Sequence, residues 1–241
     1  MQNFYERDLT ILPSMCDATA KLGIPNAFAL FMDLATEHAE ILGVGMNGLM
    51  KQGLFWLTVR TRIRFSDRPA MTEKVRLRTW PEAPERSRCN RDYAILRGDE
   101  IIVSGKTEWM IMNLKTNRLH PVDGVFPADM VPLEDRVLPE PFARLTDDFE
   151  GAAHLGRYTV RSTDIDLGGH MNNAAYVRVI AGAFSSAQWQ ALNVREMEVA
   201  FRSPCFEGDT LDIQRRDSDA GVDIRLARDG KTIVLARIGT R

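Results

Sequence analysis

The chain has 241 residues, an apolar fraction of 44%, a charged fraction of 27% and a formal net charge of −2. These values are typical of a soluble globular protein, and the charge excludes the strongly basic composition of most nucleic-acid-binding proteins. Three widely spaced cysteines, Cys16, Cys89 and Cys205, fit neither a zinc pattern nor a disulfide framework. A reducing cytoplasm is therefore the expected compartment. No targeting pattern and no apolar run of about 18 residues is present, so neither a targeting signal nor a membrane span is expected.

The first half of the chain predicts one helix followed by several strands. Residues 4–12 have the composition of a strand, and a turn-rich loop follows them. Apolar residues at helical spacing predict a helix that begins at Pro25 and reaches Leu42. Alternating patterns then predict strands at 57–65, 75–79, 89–97 and 101–114. A long helix followed by an antiparallel meander should be wrapped by that sheet, because each has one face to bury.

Residues 120–150 are rich in proline and acidic residues. This composition predicts a linker that crosses a surface without building a core. The predicted organisation is an N-terminal domain at 1–120, a linker at 121–153 and a C-terminal domain at 154–241.

The second half repeats the order of the first. A strand at 154–161, a loop at 162–173 and a helix through 176–187 precede strands at 195–203, 210–216, 222–228 and 232–238. Asp17 and Asn26 lie nine residues apart, as do Asp164 and Asn173, at an offset of 147. Residues 65–75 match residues 201–211 at an offset of 136. Such self-similarity predicts two tandem copies of one α+β fold.

Residues 164–176 read Asp-Ile-Asp-Leu-Gly-Gly-His-Met-Asn-Asn-Ala-Ala-Tyr, just ahead of the second helix. Asparagine and aspartate side chains cap helices, and glycine lets backbone N–H groups approach a ligand closely. The segment is therefore either a capped turn or a functional loop.

This stretch is similar to the motif Asp-x-Asp-x-Asn-x-His-x-Asn-Asn-x-x-Tyr of the acyl-acyl carrier protein thioesterases of plants and bacteria, which are tandem hotdog proteins. In the first half the resemblance rests on residues 56–60, 78–81, 91–92, 109–113 and 116–118. It implies a double hotdog in which each long central helix is wrapped by an antiparallel β-sheet. It also implies hydrolysis of fatty acyl thioesters carried by acyl carrier protein, with no cofactor beyond the substrate's own phosphopantetheine.

Carried over by position, Asp166 and His170 fall on catalytic positions of the family. The family's catalytic asparagine is Gly168 here, and the glutamate that often precedes the cysteine is Pro204, although Cys205 itself is present. Thioester hydrolysis needs a base or nucleophile and donors for the oxyanion. We expect Asp166 as general base or nucleophile, His170 as the orienting group and Cys205 as a further catalytic candidate.

The expected oxyanion and substrate-binding groups come from the start of the second helix: Gly168, Gly169, Asn172 and Asn173, with capping as the alternative for the two asparagines. The first loop has Leu22-Gly23-Ile24 where the second has Gly169-His170-Met171 at the same offset, so it should lack chemistry and shape the acyl tunnel.

Arginines 60, 62, 64, 76 and 78 should share one sheet face, which is either solvated or a docking surface for an acidic acyl carrier protein. The expected partners are acyl carrier protein, its fatty acyl thioester and a second copy of the chain, without nucleic acid, metal or membrane. Three alternatives stay open: an acyl-CoA thioesterase, a hotdog dehydratase and a non-catalytic acyl-binding protein. The acyl chain length is not encoded in any motif of the sequence.

Overall fold

A computed structural model describes residues 3–240. The helices are α1 (Ile24–Ile41), α2 (Met46–Met50), α3 (Asn173–Gly182) and α4 (Ser186–Ala191). The strands are β1 (Tyr5–Thr10), β2 (Leu54–Phe65), β3 (Lys74–Pro81), β4 (Cys89–Arg97), β5 (Glu100–Asn113), β6 (Arg118–His120), β7 (Ala153–Thr159), β8 (Glu196–Phe201), β9 (Thr210–Ser218), β10 (Gly221–Arg228) and β11 (Lys231–Gly239). Two compact units are formed, one by the residues up to Gly23 with Ala29–Glu140 and the other by Ile24–Phe28 with the residues from Pro141 onward.

In the first unit an antiparallel sheet runs in the order β1, β3, β4, β5, β2, and β6 pairs with β5. The helix α1 packs on one face, where the Phe31 ring stacks on Tyr93 with the ring centroids 4.7 Å apart. Gly105 lies opposite Tyr93, and a Cβ there would come within 2.4 Å of the Phe31 ring. Glycine at this position therefore lets α1 pack closely against the sheet. We call the face against α1 the inner face and the opposite one the outer face.

In the second unit an antiparallel sheet runs in the order β8, β11, β10, β9, β7. The helix α3 buries most of its residues between Ala174 and Ile180. The Tyr176 ring packs at a tilt on Phe201 of β8, with centroids 5.9 Å apart. Burial of these apolar groups is the main driving force that holds α3 in place.

Residues 121–140 have no helix or strand, yet they contribute to the first unit's core. Val122 and Leu138 are fully buried. Backbone carbonyls of the segment also accept side-chain hydrogen bonds from the outer face of the sheet: Trp80 Nε1 donates to Asp135 at 2.8 Å, and Lys106 Nζ donates to Leu138 at 2.7 Å. The expectation that this segment builds no core is therefore corrected, because its apolar side chains are buried and its backbone carbonyls are hydrogen-bonded to side chains of the sheet. The predicted domain limits stay a prediction.

The predicted strands are all observed, and α1 lies within one residue of its predicted limits. The second predicted helix is divided instead, since α3 ends at Gly182 and α4 begins at Ser186. The reason is a capping box, in which Ser185 Oγ accepts the Gln188 N–H and Gln188 Oε1 accepts the Ser185 N–H. The helix α2 and the strand β6 were not predicted. None of the helices within residues 3–240 is long and apolar enough to cross a membrane.

Candidate active site

The loop that precedes α3 is closed by its own backbone. The Asp166 N–H donates to the His170 carbonyl at 3.0 Å, and the Gly169 N–H donates to the Asp166 carbonyl at 3.0 Å. Gly169 has φ of +76°, a left-handed conformation that glycine adopts without steric cost. A bridge between Ile165 and Met171 closes the loop. This geometry holds residues 166 and 170 side by side.

The Asp166 carboxylate and the His170 imidazole are neighbours at this loop. His170 Nδ1 lies 3.7 Å from Asp166 Oδ1, and each side chain is about one-third exposed, at 31% and 32%. The distance exceeds a hydrogen bond but allows an ionic contact when the imidazole is protonated. Asp166 Oδ1 accepts the Gly168 N–H at 2.8 Å. Within residues 3–240 no arginine or lysine forms an ion pair with Asp166, and the imidazole of His170 is its titratable neighbour.

Gly168 stands where the family motif has asparagine, and the space for a side chain there is taken. A Cβ on Gly168 would lie 2.7 Å from His170 Cε1 and 3.0 Å from Asp166 Oδ1. An asparagine would therefore push the imidazole aside. The pose of His170 and the glycine at 168 depend on each other.

The N–H groups expected as oxyanion donors are mostly engaged inside the loop. Besides those of Gly168 and Gly169, the Met171 N–H donates to the Cys205 carbonyl and the Asn172 N–H to the Asp164 carbonyl, both at 2.8 Å. This corrects the expectation for these groups, because each would have to break a bond before it could bind a ligand. The N–H of Asn173, the first residue of α3, has no acceptor in the described chain. First-turn N–H groups of a helix lack intrahelical partners.

Asn172 is the N-cap of α3, since its Oδ1 accepts the Ala174 N–H at 2.8 Å. The capping alternative is therefore confirmed for Asn172. Asn173 begins the helix and is half-buried beside the loop.

Asp164 fixes the loop through contacts of its side chain. The buried carboxylate accepts the Tyr158 hydroxyl at 2.6 Å and the Arg161 N–H at 2.9 Å, and Arg178 Nη2 lies 3.9 Å away. Tyr158 carries no motif signal, because its partner lies six residues ahead across the end of a strand. This group of contacts explains the first aspartate of the motif as structural.

Cys205 is fully buried, and burial raises the pKa of its thiol. Its backbone N–H donates to the Tyr176 hydroxyl at 3.1 Å, and its carbonyl accepts from Met171. A buried thiol with a raised pKa is a poor nucleophile. This placement opposes the catalytic assignment of Cys205 and gives the residue a role in fixing the loop.

The corresponding loop of the first unit has the same backbone pattern. The Asp17 N–H donates to the Lys21 carbonyl at 2.9 Å, the Ala20 N–H donates to the Asp17 carbonyl at 3.0 Å, and the Thr19 N–H donates to Asp17 Oδ1 at 2.8 Å. Asp17 thus corresponds to Asp166, an offset of 149. The loop alignment at 147 is corrected, and Lys21 is the counterpart of His170.

The two loops differ in the residue that faces the aspartate. In the first unit Arg68 forms an ion pair with Asp17. Burial alone would raise the pKa of Asp17, but the hydrogen bonds from Thr19 and Arg68 outweigh it and lower the pKa. At the sheet offset of 136, Pro204 occupies the position of Arg68. Equivalent hydrogen bonds support this alignment: the Leu22 N–H donates to the Pro69 carbonyl, and the Met171 N–H donates to the Cys205 carbonyl.

The predicted arginine face is largely engaged in ion pairs. Arg76 pairs with Asp8 at 3.5 Å, Arg78 with Glu6 at 2.5 Å and Arg64 with Glu140 at 3.3 Å. Arg62 is only 4% exposed. Much of the charge on this face is therefore compensated or buried, which favours the solvated alternative, and the docking surface stays a prediction.

No cluster of three or more histidine, cysteine, aspartate or glutamate residues suited to a metal ion occurs in the described chain. The absence of a cofactor stays a prediction.

Two family models match the chain: the acyl-ACP thioesterase N-terminal domain over residues 2–128 and the acyl-ACP thioesterase C-terminal domain over residues 150–239. An oleoyl-acyl carrier protein thioesterase of Coriandrum sativum is 27% identical over 205 residues, which cover 76% of this chain and 54% of that protein. The chain thus spans about half the length of the plant relatives that it matches.

Solved structures agree in fold. An acyl-ACP thioesterase from Bacteroides thetaiotaomicron superposes with a TM-score of 0.89 at 21% identity, covering 98% of this chain and 97% of that one. The 12:0-ACP thioesterase from Umbellularia californica gives 0.81 at 18% identity, covering 100% and 98%. These matches confirm the predicted α+β double hotdog. The N-terminal family model alone matches more than half of the chain, and the chain therefore belongs to the acyl-ACP thioesterase family.

Proposed function

We propose that the chain is a thioester hydrolase that releases fatty acids from acyl carrier protein. The observation that carries this proposal is the Asp166 carboxylate, about one-third exposed, without an arginine or lysine partner in residues 3–240 and 3.7 Å from His170. An uncompensated carboxylate beside an imidazole, in an accessible loop at the start of a helix, suits acid–base chemistry.

In the proposed reaction Asp166 accepts a proton from the attacking water. Alternatively it attacks the thioester carbonyl itself, the C–S bond breaks, and water then hydrolyses the mixed anhydride to the free acid and the Asp166 carboxylate. The Gly168 N–H occupies Oδ1, and Oδ2 is the oxygen that we assign to the reacting group. His170 hydrogen-bonds the water or the thioester and passes the proton that the water loses to the departing thiolate. The thiol that leaves belongs to the phosphopantetheine of the carrier.

The developing oxyanion needs donors that are not already in use. We assign this role to the Asn173 N–H, which lies at the positive end of the α3 dipole. Removing one oxyanion donor typically costs about a hundredfold or more in rate. Asn173 is thus a catalytic candidate through its backbone rather than its side chain.

The choice of carrier follows from the family, whose plant members are named for acyl carrier protein substrates. A cytoplasmic location and a homodimer stay predictions of the sequence. An acyl-CoA thioesterase and a dehydratase would also use Asp166 and His170. The carrier that is accepted and the product that is formed therefore distinguish these activities from the proposed one.

A second candidate is a non-catalytic acyl-binding protein. It is favoured by Gly168 and Pro204, which replace two polar positions of the family motif. In that case acyl chains would bind without release of thiol.

The test is a matched series of acyl thioesters on acyl carrier protein and on coenzyme A, with free thiol and free acid measured over several chain lengths. Release from acyl carrier protein with a higher kcat/KM than from coenzyme A supports the proposal. Preference for coenzyme A would indicate the acyl-CoA enzyme, and loss of water without thiol release the dehydratase. Acyl binding with no turnover on either carrier would support the binding protein and refute the hydrolase.

A further inference from the structure

One end of the first unit's sheet carries exposed apolar side chains beside lysine and arginine. It is formed by the turn that joins β5 to β6 and by the end of α2. The Leu114 N–H donates to the Gly53 carbonyl at 2.8 Å, and this bond holds the two parts together. The proposed reaction uses none of these side chains, and all of them are exposed. We call the following set the hairpin patch: Met50, Lys51, Leu114, Lys115, Arg118 and Leu119.

The apolar part of the hairpin patch continues into the sheet. Met50, Leu114 and Leu119 are 45%, 51% and 53% exposed. Leu119 lies opposite Met112, and Met112 lies opposite Phe55, so these three side chains share one face of the sheet. Because Met112 and Phe55 are half-buried, the row becomes more exposed from β2 outwards to β6. Contiguous exposed apolar groups of this kind are typical of interaction sites.

The charged part of the hairpin patch is entirely cationic. Residues 46–59 and 109–122 contain Lys51, Lys115 and Arg118 but no aspartate or glutamate. None of these three cations forms an ion pair in the described part of the chain, whereas much of the charge on the predicted arginine face is paired. Since the whole chain has a formal net charge of −2, this excess of positive charge is local to the patch.

The carboxylates that flank these two segments leave the positive charge of the patch in place. Glu40 Oε1 accepts the Asn47 N–H at 3.1 Å, at the start of α2. Glu108 is buried and forms an ion pair with Arg88 at 2.9 Å. Asp123 is exposed and follows β6. The cations of the patch can therefore attract an anionic partner.

The hairpin patch is held in one shape by its own backbone. Asn113 Oδ1 accepts the N–H groups of Lys115 and Thr116 at 3.0 and 3.1 Å. Asn117 has φ of +53°, a left-handed conformation that asparagine tolerates in turns. The Lys115 stem lies over Gly53, where a Cβ would be 3.6 Å from Lys115 Cε. A preformed surface loses little conformational entropy when a partner binds.

We infer that the hairpin patch is a docking surface for the acyl carrier protein. The carboxylates of an acidic carrier complement the three cations, and its apolar side chains cover the exposed leucines and methionine. An anionic lipid surface has the same sign of charge, but the fixed shape of the patch suits a protein, in which each cation meets a carboxylate at a defined place. The inference rests on the proposed function for the identity of its partner, because that function makes the carrier part of the substrate.

The test separates docking from chemistry with two substrates that have the same acyl chain. One is the thioester on acyl carrier protein, and the other is the thioester on N-acetylcysteamine, which has the reacting group but no protein. Lys115→Glu/Arg118→Glu reverses two charges of the patch. We expect it to raise KM for the carrier substrate about tenfold or more with kcat retained, because like charges then oppose each other across the interface. Its kcat/KM for the N-acetylcysteamine thioester should equal that of the wild type.

Lys74→Glu/Lys231→Glu is the matched control, because it makes the same change in net charge at two exposed lysines outside the patch. It should leave KM for the carrier substrate close to the wild-type value. Leu114→Ser/Leu119→Ser removes apolar contacts without a change in charge and should raise that KM. An unchanged KM in either patch variant, an equal rise in the control, or an equal loss on the N-acetylcysteamine thioester would overturn the inference while leaving the hydrolase intact.

Binding is measured separately by calorimetry with holo-acyl carrier protein, which has the phosphopantetheine but no acyl group. If no thioester is cleaved at all, the hydrolase proposal fails and calorimetry still decides the inference. A Kd about tenfold higher for Lys115→Glu/Arg118→Glu than for the wild type and the control would uphold docking. Equal Kd values, or no binding by the wild type, would reject it. Vesicles of phosphatidylglycerol that bind through the patch, with an unchanged Kd for the carrier, would assign the surface to lipid and overturn the inference.

Discussion

Asp17 and Asp166 occupy equivalent positions in the two units, each accepting the N–H of the residue two places ahead at 2.8 Å. Their charged neighbours differ. Asp17 forms an ion pair with Arg68, whereas Asp166 faces His170 at 3.7 Å and has Pro204 at the position of Arg68. One loop geometry thus supports a carboxylate paired with arginine in the first copy and, in the second, the carboxylate that we propose to react. Pro204, which removes a polar group of the family motif, also leaves the Asp166 charge uncompensated.

Pro204→Arg should transfer the first copy's ion pair to the second. A guanidinium at this position would pair with Asp166 as Arg68 pairs with Asp17, and a carboxylate held by arginine is a weaker base. We expect kcat/KM for acyl carrier protein thioester to fall at least about tenfold, with the melting temperature retained. Pro204→Ala is the control, because it removes the proline without adding charge. Equal activities of the two variants would contradict this explanation of the loop.

Cys205→Ala should leave activity within about threefold of the wild type, because the thiol is buried and its pKa is raised. The backbone bonds to Tyr176 and Met171 do not depend on the side chain. Loss of the buried sulfur should lower the free energy of unfolding by about 1–2 kcal/mol. Thiol-release kinetics and urea unfolding measure the two effects. A hundredfold loss of kcat in a folded variant would restore Cys205 as a catalytic residue.

Asp92→Asn should change how stability depends on pH. Burial and the charge of Glu82 raise the pKa of Asp92 to about 7, against the lowering effect of Lys106. Unfolded aspartate titrates near about pH 4. Between about pH 4 and 7 the folded chain therefore binds the proton more tightly, and the free energy of unfolding falls as pH rises through this window.

The Asp92→Asn variant lacks this loss, so its stability relative to the wild type should rise from about pH 4 to pH 8, by on the order of 2–4 kcal/mol. Urea unfolding across this range measures the difference. Asp99→Asn, in the exposed turn between β4 and β5, should show no such trend. A pH-independent difference for Asp92→Asn would mean that its carboxyl titrates normally in the folded state.

Periodic patterns predicted most elements of the fold, and the family resemblance supplied its identification as a double hotdog. The helix α1, the strands and the tandem repeat follow from alternation and helical spacing, which report which face of an element is buried. The break between α3 and α4 was missed, because the Ser185–Gln188 capping box lies within a continuous apolar pattern. The buried state of Val122 and Leu138 was missed too, since proline-rich composition does not reveal what a segment packs against.

The candidate site was predicted in part. Asp166 and His170 are neighbours because their spacing fits one tight loop, and this spacing is visible in the sequence. The burial of Cys205, the cap formed by Asn172 and the ion pair of Asp17 with Arg68 depend on contacts that the sequence does not display. The alignment of the two loops at an offset of 147 was wrong for a similar reason. It matched identical residues at equal spacing, whereas the backbone hydrogen bonds, which only the structure shows, align the loops at an offset of 149.

The central claim is that Asp166 performs the chemistry and that its counterpart Asp17 does not. The most direct measurement is the rate of thiol release from acyl carrier protein thioester by Asp166→Asn, with Asp17→Asn as the matched control. Asparagine preserves the size and the Oδ1 acceptor but removes the charge. We predict that Asp166→Asn lowers kcat by about a hundredfold or more, whereas Asp17→Asn stays within severalfold of the wild type. Comparable activity of the two folded variants would contradict the claim.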